Sequence, residues 1–158
     1  MCFKRLMRLA LYQPDIPQNT GTLMRLCASM GVALDIIEPC GFALDEKKLR
    51  RAAMDYIDHL DMTRHLDWPT FQAQKTGRLI LLSTKASVPY TNFEFQPTDI
   101  LLAGRESAGV PDDVHAAADA RVIVPMVADV RSINVAVSCA MVMGEALSQT
   151  AGFENVTS

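Results

Sequence analysis

The chain has 158 residues, of which 49% are hydrophobic and 21% charged, and its formal net charge is −3. This length suits one domain with its own core, and the composition excludes a disordered chain. Because the net charge is close to zero, any nucleic-acid partner would need a local basic surface.

Four cysteines are present without a CxxC pair, and none has a histidine nearby at metal-ligand spacing. They are typical of reduced thiols in a cytosolic protein and argue against a structural zinc. The chain has no apolar run long enough to span a membrane. Its basic start runs into Gln13, Pro14 and Asp15, which does not fit a signal peptide. We therefore expect a cytoplasmic protein with no metal and no membrane association.

The first half of the chain alternates short apolar runs with helical spacing. A strand is predicted over 9–12, and a helix is predicted to begin at Asn19 or Thr20 and to stop at Gly31. A second strand is predicted over 32–37. Asp45 then caps a predicted basic helix, whose charged side chains are Lys47, Lys48, Arg50 and Arg51.

The second half continues the same alternation. Residues 60–76 are predicted to be irregular apart from a short helix over 69–74, and a strand is predicted over 79–83. Residues 85–98 contain two prolines and are predicted to form a loop with at most a short edge strand. Strands over 100–103 and 121–127 flank a short helix over 111–118, and Ser132 is expected to cap a long helix that ends near Leu147.

This pattern predicts an α/β fold in one domain, 1–158, with a mostly parallel sheet and helices on both faces. Ligands of open α/β sheets bind outside the carboxyl ends of the strands. The loops that follow Tyr12, Ser83, Ala103 and Val127 are therefore the places to look for a site.

Three of these loops carry unusual residues, and each also has an ordinary structural interpretation. Asn19 and Gly21 could simply start a helix, or they could shape a loop that aims Arg25 at a phosphate or at developing negative charge. The run 104–109, Gly-Arg-Glu-Ser-Ala-Gly, is neither a Walker motif nor GxGxxG, but a glycine after a buried strand permits a flat ligand to lie close to the backbone. Glu106 in this run could be structural, bonding nearby amides.

The third loop leads into the last helix. Ser132 or Asn134 can cap that helix. The helix itself is apolar almost all round, which in a chain of this size indicates a subunit interface. The histidines and serines lack the spacing of a hydrolase triad, and no metal-binding motif is found.

Taken together, the motifs resemble those of the SPOUT methyltransferases, in the TrmH-like group. The resemblance is closest to small tRNA (cytidine/uridine-2′-O-) methyltransferases of that group. It rests on runs spread over nearly the whole chain, in the right order: 11–21, 25–28, 36–42, 48–52, Asp55 with Tyr56, 104–111, 124–126 and 131–134.

The resemblance implies a parallel sheet whose C-terminal part forms a deep trefoil knot, a feature that general topology rules would not suggest. It implies a homodimer whose active site is completed across the interface, and S-adenosylmethionine as cofactor without a metal. Matching by position, the cofactor would contact Leu82, Thr84, Gly104, Glu106, Val124, Met126, Ser132 and Asn134.

The implied reaction is direct transfer of the methyl group to a ribose 2′-oxygen of tRNA, at cytidine or uridine in wobble position 34. Arg25, Ser132 and Asn134 would be the catalytic residues. The tRNA would be bound by Asn19, Arg25, Lys47, Lys48, Arg50 and Arg51, aided by Arg64. The four residues of the basic helix could equally form an ordinary solvated face. One departure stands out: position 105 is Arg, where the family commonly has a small residue or Pro.

Three alternatives remain open. A non-catalytic RNA-binding dimer would keep the fold without the reaction, but the motif residues are retained. A SPOUT enzyme could act on another tRNA or rRNA nucleotide, or on a base such as guanine N1, although base methyltransferases of this fold usually carry a further domain. A nucleotide-binding oxidoreductase is opposed by the missing GxGxxG.

Overall fold

The computed structural model describes residues 6–45, 47–48, 51, 54–130, 132–150 and 152–153. Its strands are β1 (Arg8–Tyr12), β2 (Ala33–Ile37), β3 (Met62–His65), β4 (Leu79–Leu82), β5 (Ile100–Ala103) and β6 (Ala120–Val122). They form one sheet in the order β3-β2-β1-β5-β4-β6, and every pairing is parallel.

Four α-helices lie entirely within the described residues: α1 (Pro17–Met30), α2 (Trp68–Gln74), α3 (Asp112–Ala117) and α4 (Val135–Gln149). Two 3₁₀ helices cover Met54–His59 and Tyr90–Asn92. Within the predicted basic helix, Lys47, Lys48 and Arg51 are helical. The Asp45 carboxylate accepts a hydrogen bond from the Lys47 amide at 2.9 Å, as expected of a residue that caps the start of a helix. Arg50 lies outside the described residues.

Helices cover both faces of the sheet, as predicted. α1 and α4 pack on one face, where Leu23, Cys27 and Cys139 are buried with Met143. α2 and α3 pack on the other face through Phe71 and Val114, respectively. The central strand β5 is buried along its whole length, which explains its purely apolar sequence.

The strand register brings the carboxyl ends of the central strands to one edge. Ala103 of β5 pairs with Leu11 on one side and with Leu82 on the other, and Leu82 also pairs with Val122 of β6. Because all the strands are parallel, the loops that follow β1, β4, β5 and β6 leave the sheet at this same edge.

The first half of the fold differs from the prediction in two places. α1 begins at Pro17 with Ile16 before it, rather than at Asn19 or Thr20, because proline suits the first helical turn, where its missing amide costs no hydrogen bond. Residues 62–65 form the edge strand β3 instead of irregular chain. The strand was not predicted because its sequence is polar. The polar side chains have partners in the structure, since His65 bonds to Asp35 and Arg64 bonds to Glu38.

The second half differs in the ends of its elements. β6 stops at Val122, well before the predicted end at Val127, and between residues 85 and 98 the edge contact is a single bridge from Pro89 to Ile123. Asn134, not Ser132, caps α4 through its side chain. α4 is also not buried all round in one chain, since Val137 and Met141 are exposed. Within the described residues, no helix combines the length and apolarity needed to cross a bilayer.

Candidate active site

A cavity of about 450 Å³ lies at the carboxyl ends of β4, β5 and β6. The loops after these strands form its walls, and the start of α4 and two residues at the start of α1 complete them. The residues that line it are Ile16, Asn19, Leu81–Lys85, Ala103–Glu106, Ala108–Val110, His115, Ile123, Val124, Met126, Ser132–Val135 and Ser138. This volume falls within the range of roughly 300–1,000 Å³ typical of small-molecule sites.

The loop 104–109 is a closed turn that forms one wall. The Arg105 amide donates to the Gly109 carbonyl at 3.0 Å, and the Gly109 amide donates back to the Arg105 carbonyl at 2.8 Å. A Cβ on Gly104 would lie 2.8 Å from the carbonyl carbon of Gly109, so only glycine lets the turn fold this tightly. Gly109 itself has φ +62°, a conformation that favours glycine.

Arg105 strengthens the same turn from its side chain. Its Nε donates to the Gly109 carbonyl at 3.1 Å, and its guanidinium lies over the ring of Tyr12, with Cζ 5.5 Å from the ring centre. Tyr12 in turn makes an edge contact with Trp68, with the ring centres 5.9 Å apart. The departure from the family pattern at position 105 therefore ties the turn to the end of β1.

Asp15 and Glu106 join the loop after β1 to the loop after β5 by reciprocal hydrogen bonds. The Asp15 amide donates to the Glu106 carboxyl group at 3.0 Å, and the Glu106 amide donates to the Asp15 carboxyl group at 3.1 Å. The Ser107 hydroxyl also donates to Asp15. Gly41 packs against this loop so closely that a Cβ there would lie 2.6 Å from the Cβ of Asp15.

Asn19 connects this pair to the last helix. Its Nδ2 donates to Glu106 at 3.5 Å, and its Oδ1 accepts a hydrogen bond from Asn134 Nδ2 at 3.0 Å. Asn134 uses its own Oδ1 to accept from the amides of Ala136 and Val137 at 2.9 and 3.2 Å. One continuous polar network therefore links the loops after β1 and β5 to the start of α4.

The two carboxyl groups of this network have opposite pKa shifts. Burial raises the pKa of Glu106, and the hydrogen bond with Asp15 raises it further. The pKa of Asp15 is lowered, foremost by the side-chain hydrogen bond with Glu106 and also by hydrogen bonds from Ser107. Glu106 therefore holds a proton more readily than Asp15 does, and it is the acidic side chain that lines the cavity.

The structure places all the predicted cofactor residues on the cavity wall, together with Asn19. The predicted residues are Leu82, Thr84, Gly104, Glu106, Val124, Met126, Ser132 and Asn134. They come from four separate segments of the chain. The cavity thus combines apolar walls, a carboxyl group and amide and hydroxyl groups, a combination that suits a small cationic molecule with flat and polar parts.

The predicted RNA-binding residues lie elsewhere. Arg25 is exposed and is absent from the cavity wall. It lies six residues beyond Asn19, which is about 9 Å further along α1 and about 240° around it. Lys47, Lys48 and Arg51 are exposed as well, while Arg64 donates to Glu38 at 2.7 Å.

Sequence reasoning missed two residues that shape the site. Asp15 was not among the predicted site residues, and its position directly after the first strand was the available signal. Arg105 was noted as a departure without a role. Each contacts a residue distant in the chain: Asp15 bonds to residues 91 and 92 positions away, and Arg105 lies over the ring of Tyr12.

Comparisons with known proteins agree with this geometry. The model of the SpoU rRNA methylase family matches residues 6–144. A protein of Beijerinckia indica subsp. indica named tRNA (cytidine(34)-2′-O)-methyltransferase is 59% identical over 151 residues, which cover 94% of each chain.

Two solved structures have the same fold. One, described as giving structural insights into the 2-OH methylation of C/U34 on tRNA, is 36% identical, has a TM-score of 0.86 and covers 94% of this chain and 98% of the other. The SpoU methyltransferase AviRb from Streptomyces viridochromogenes, solved in complex with the cofactor AdoMet, is 21% identical. Its TM-score is 0.80 over 93% of this chain and 62% of the other, which shows a common fold. With the family match covering most of its length, the chain belongs to the SpoU rRNA methylase family.

Proposed function

We propose that this protein transfers a methyl group from S-adenosylmethionine to the ribose 2′-OH of cytidine or uridine 34 in tRNA. The observation that carries the proposal is the cavity at the carboxyl ends of β4, β5 and β6, whose wall is closed by the network Asp15–Glu106–Asn19–Asn134. The relatives named for this reaction support the choice of acceptor.

The cavity residues fit S-adenosylmethionine. The cofactor carries a positively charged sulfonium and an ammonium group, and Glu106 is the carboxyl group on the wall. Apolar side chains such as Leu82, Val124 and Met126 suit an adenine ring, and Ser132 and Thr84 offer hydroxyl groups. When bound, S-adenosylmethionine supplies an electrophilic methyl group. The complex of AviRb with AdoMet supports the same choice of cofactor.

The chain's own residues orient the reactants and exclude water. Asn134 and Asn19 fix the start of α4 against the loop after β5, so that the cavity walls keep their spacing before a ligand arrives. Ser132 lines the cavity two residues before Asn134 and would order the cofactor or the acceptor ribose. We assign Ser132 and Asn134 to positioning the reacting groups, not to proton transfer.

Arg25 acts on the acceptor as a cation and not as a base. An ordinary guanidinium does not release its proton in a protein, so it binds a phosphate and stabilises alkoxide character on the 2′-oxygen, while the proton passes to phosphate or water. Its position outside the cavity of its own chain supports a homodimer in which Arg25 serves the cavity of the partner.

The exposed face of α4 is the surface proposed to form this dimer. Val137, Ala140, Met141 and Gly144 follow each other at helical spacing, and the three side chains are exposed in the single chain. An apolar helix face of this kind is buried when a second copy covers it.

Mixed dimers of Arg25→Ala and Glu106→Gln chains should regain activity, because one of their two sites has both residues intact.

RNA is captured by the basic segment. Lys47, Lys48 and Arg51 are exposed, and Arg50 belongs to the same run although it lies outside the described residues. Phosphate contacts of this type weaken steeply with salt. A dimer presents the segment twice and so doubles this local basic surface.

We also propose that the C-terminal part forms a trefoil knot and that the protein acts in the cytoplasm. The knot is supported by the match to the SpoU rRNA methylase family, because the resemblance to the SPOUT methyltransferases implies it. The cytoplasmic location is supported by Cys27, Cys40 and Cys139, which are free thiols.

The decisive experiment uses purified protein, tritiated S-adenosylmethionine and tRNA that lacks the modification, with the RNA then digested to nucleosides. Label in 2′-O-methylcytidine or 2′-O-methyluridine from position 34 is the expected result. Label in a base or at another nucleotide would refute the acceptor. Cofactor binding without label on any tRNA or rRNA would favour a non-catalytic RNA-binding dimer.

Arg25→Ala tests the assignment of the acceptor residue in the same assay. Turnover should fall by about 100-fold or more, in keeping with the loss of one stabilising charge in a transition state. Ser29→Ala is the matched control, because Ser29 is exposed one turn later on α1. An Arg25→Ala enzyme with normal turnover would overturn the role of Arg25 but not the reaction.

A further inference from the structure

Arg25 is held by an aromatic ring. Its guanidinium carbon lies 5.3 Å from the centre of the Tyr56 ring, within the distance of a cation–π contact. Tyr56 keeps 39% of its surface exposed and belongs to the 3₁₀ helix Met54–His59, which packs against α1. Two segments that are 31 positions apart in the chain therefore meet at this pair.

The chemistry of this contact differs from that of an ion pair. No carboxylate whose side chain the structure describes forms an ion pair with Arg25, and its contact is with the face of the ring. A carboxylate would occupy the N–H donors of the guanidinium and neutralise its charge. A ring face attracts the cation through its π-electrons and leaves all five N–H donors for another anion.

The place of Tyr56 in the chain adds a second argument. The 3₁₀ helix Met54–His59 directly follows the segment that carries Lys47, Lys48 and Arg51. Tyr56 lies five residues beyond Arg51 in the chain, and it is the residue that contacts Arg25. The basic segment and the contact with Arg25 are therefore neighbours in the sequence.

We propose that Tyr56 is a positioning residue that holds the Arg25 guanidinium by its face, so that the N–H donors can bind a phosphate of the RNA acceptor. This inference rests on the role of Arg25 in the proposed function. Without the ring, the long side chain samples many rotamers, and binding RNA then requires that freedom to be lost. The ring reduces that loss in advance, which is the benefit of preorganisation.

The test compares variants of Tyr56 in two backgrounds, wild type and Arg25→Ala. Tyr56→Leu removes the π-face, whereas Tyr56→Phe keeps it and removes only the hydroxyl. We measure kcat and KM for tRNA, and the cofactor affinity by calorimetry. In the wild-type background, Tyr56→Leu should lower kcat/KM for tRNA by about 5- to 30-fold, equivalent to about 1–2 kcal/mol. Tyr56→Phe should stay within about twofold of wild type.

The Arg25→Ala background separates positioning from a merely structural role. There, Tyr56→Leu should cause less than about a twofold further loss, because the cation that the ring holds is already gone. Cofactor affinity should be unchanged in every Tyr56 variant. If Tyr56→Leu lowers the melting temperature, Tyr56→Met replaces it as a second non-aromatic variant of similar length.

Each outcome decides between the two proposals. Equal losses from Tyr56→Leu in both backgrounds, or a Tyr56→Phe enzyme as impaired as Tyr56→Leu, would overturn the inference while leaving the reaction intact. An active enzyme in which Arg25→Ala has no effect would overturn the inference together with the role of Arg25. A wild-type enzyme that methylates no ribose would overturn the proposed function itself.

Discussion

Asn134 has two separable tasks, and substituting it should reveal both. Its Oδ1 caps α4 by accepting from two backbone amides, and its Nδ2 donates to Asn19 at 3.0 Å. Asn134→Ala removes both functions. Loss of the cap costs about 1 kcal/mol, and loss of the exposed side-chain hydrogen bond costs about 0.5 kcal/mol. The sum of about 1.5 kcal/mol corresponds to a fall of about 3–6 °C in melting temperature for a chain of this size.

Asn134→Ser keeps the first task and removes the second. Serine caps helices about as well as asparagine, but its short hydroxyl cannot replace the Nδ2 donor to Asn19. Calorimetric melting should therefore place Asn134→Ser within about 2 °C of wild type. Titration with S-adenosylhomocysteine should show weakened binding in both variants, because both lose the link to Asn19. Asn92→Ala serves as the control for melting temperature, because Asn92 is exposed and its side chain forms no hydrogen bond with the described residues.

Two results would refute this reasoning. If Asn134→Ser melts as low as Asn134→Ala, the helix cap is not the source of the stability. If Asn134→Ser binds the ligand as tightly as wild type, the hydrogen bond between Asn134 and Asn19 does not maintain the cavity.

Three further predictions concern the cavity and the thiols. Since burial raises the pKa of Glu106, affinity for the cationic cofactor should be lost as the pH falls through that raised pKa. Glu106→Gln should bind more weakly and without this acid-side loss, and calorimetry that finds the same titration in the variant would contradict the assignment. Gly104→Ala places a Cβ 2.8 Å from loop backbone, so cofactor affinity should fall by about tenfold or more, and unchanged affinity would show that the turn can open freely. Burial raises the pKa of Cys40 to about 11 and of Cys139 to about 12, and it raises the pKa of Cys27 even further. Peptide mass spectrometry should therefore find slow alkylation of half-buried Cys40 in the native protein and protection of the other two, and equal rates would contradict their burial.

The α/β class and the loops that form the cavity could be predicted from the sequence because their signals are local, whereas the individual cofactor residues followed from the family resemblance. A glycine directly after a buried strand, as at Gly104, indicates a close backbone approach within a few residues of chain. The same is true of Asn134, whose capping partners lie two and three residues away. The parallel sheet then brings such loops together without any further information.

The features that were missed depend on contacts between distant segments. β3 is polar because Arg64 and His65 bond to residues of the neighbouring β2 region, so its sequence lacks the apolar signature of a strand. Asn19 looked like a helix cap, yet Pro17 starts α1 earlier and leaves the Asn19 side chain for Glu106 and Asn134. The direction of Arg25 away from the cavity could be seen only after the true start of α1 was known.

The network around Glu106 also sets the order in which the protein can be completed. Its hydrogen bonds join residues 87, 91 and 115 positions apart, so none of them can form early in synthesis. A nascent chain can pair β1, β2 and β3 long before Asn134 leaves the ribosome, but the cavity gains its last wall only then. Ligand-binding competence is therefore a late event in the biogenesis of this protein, and a chain that ends before α4 has strands to pair but no finished cavity.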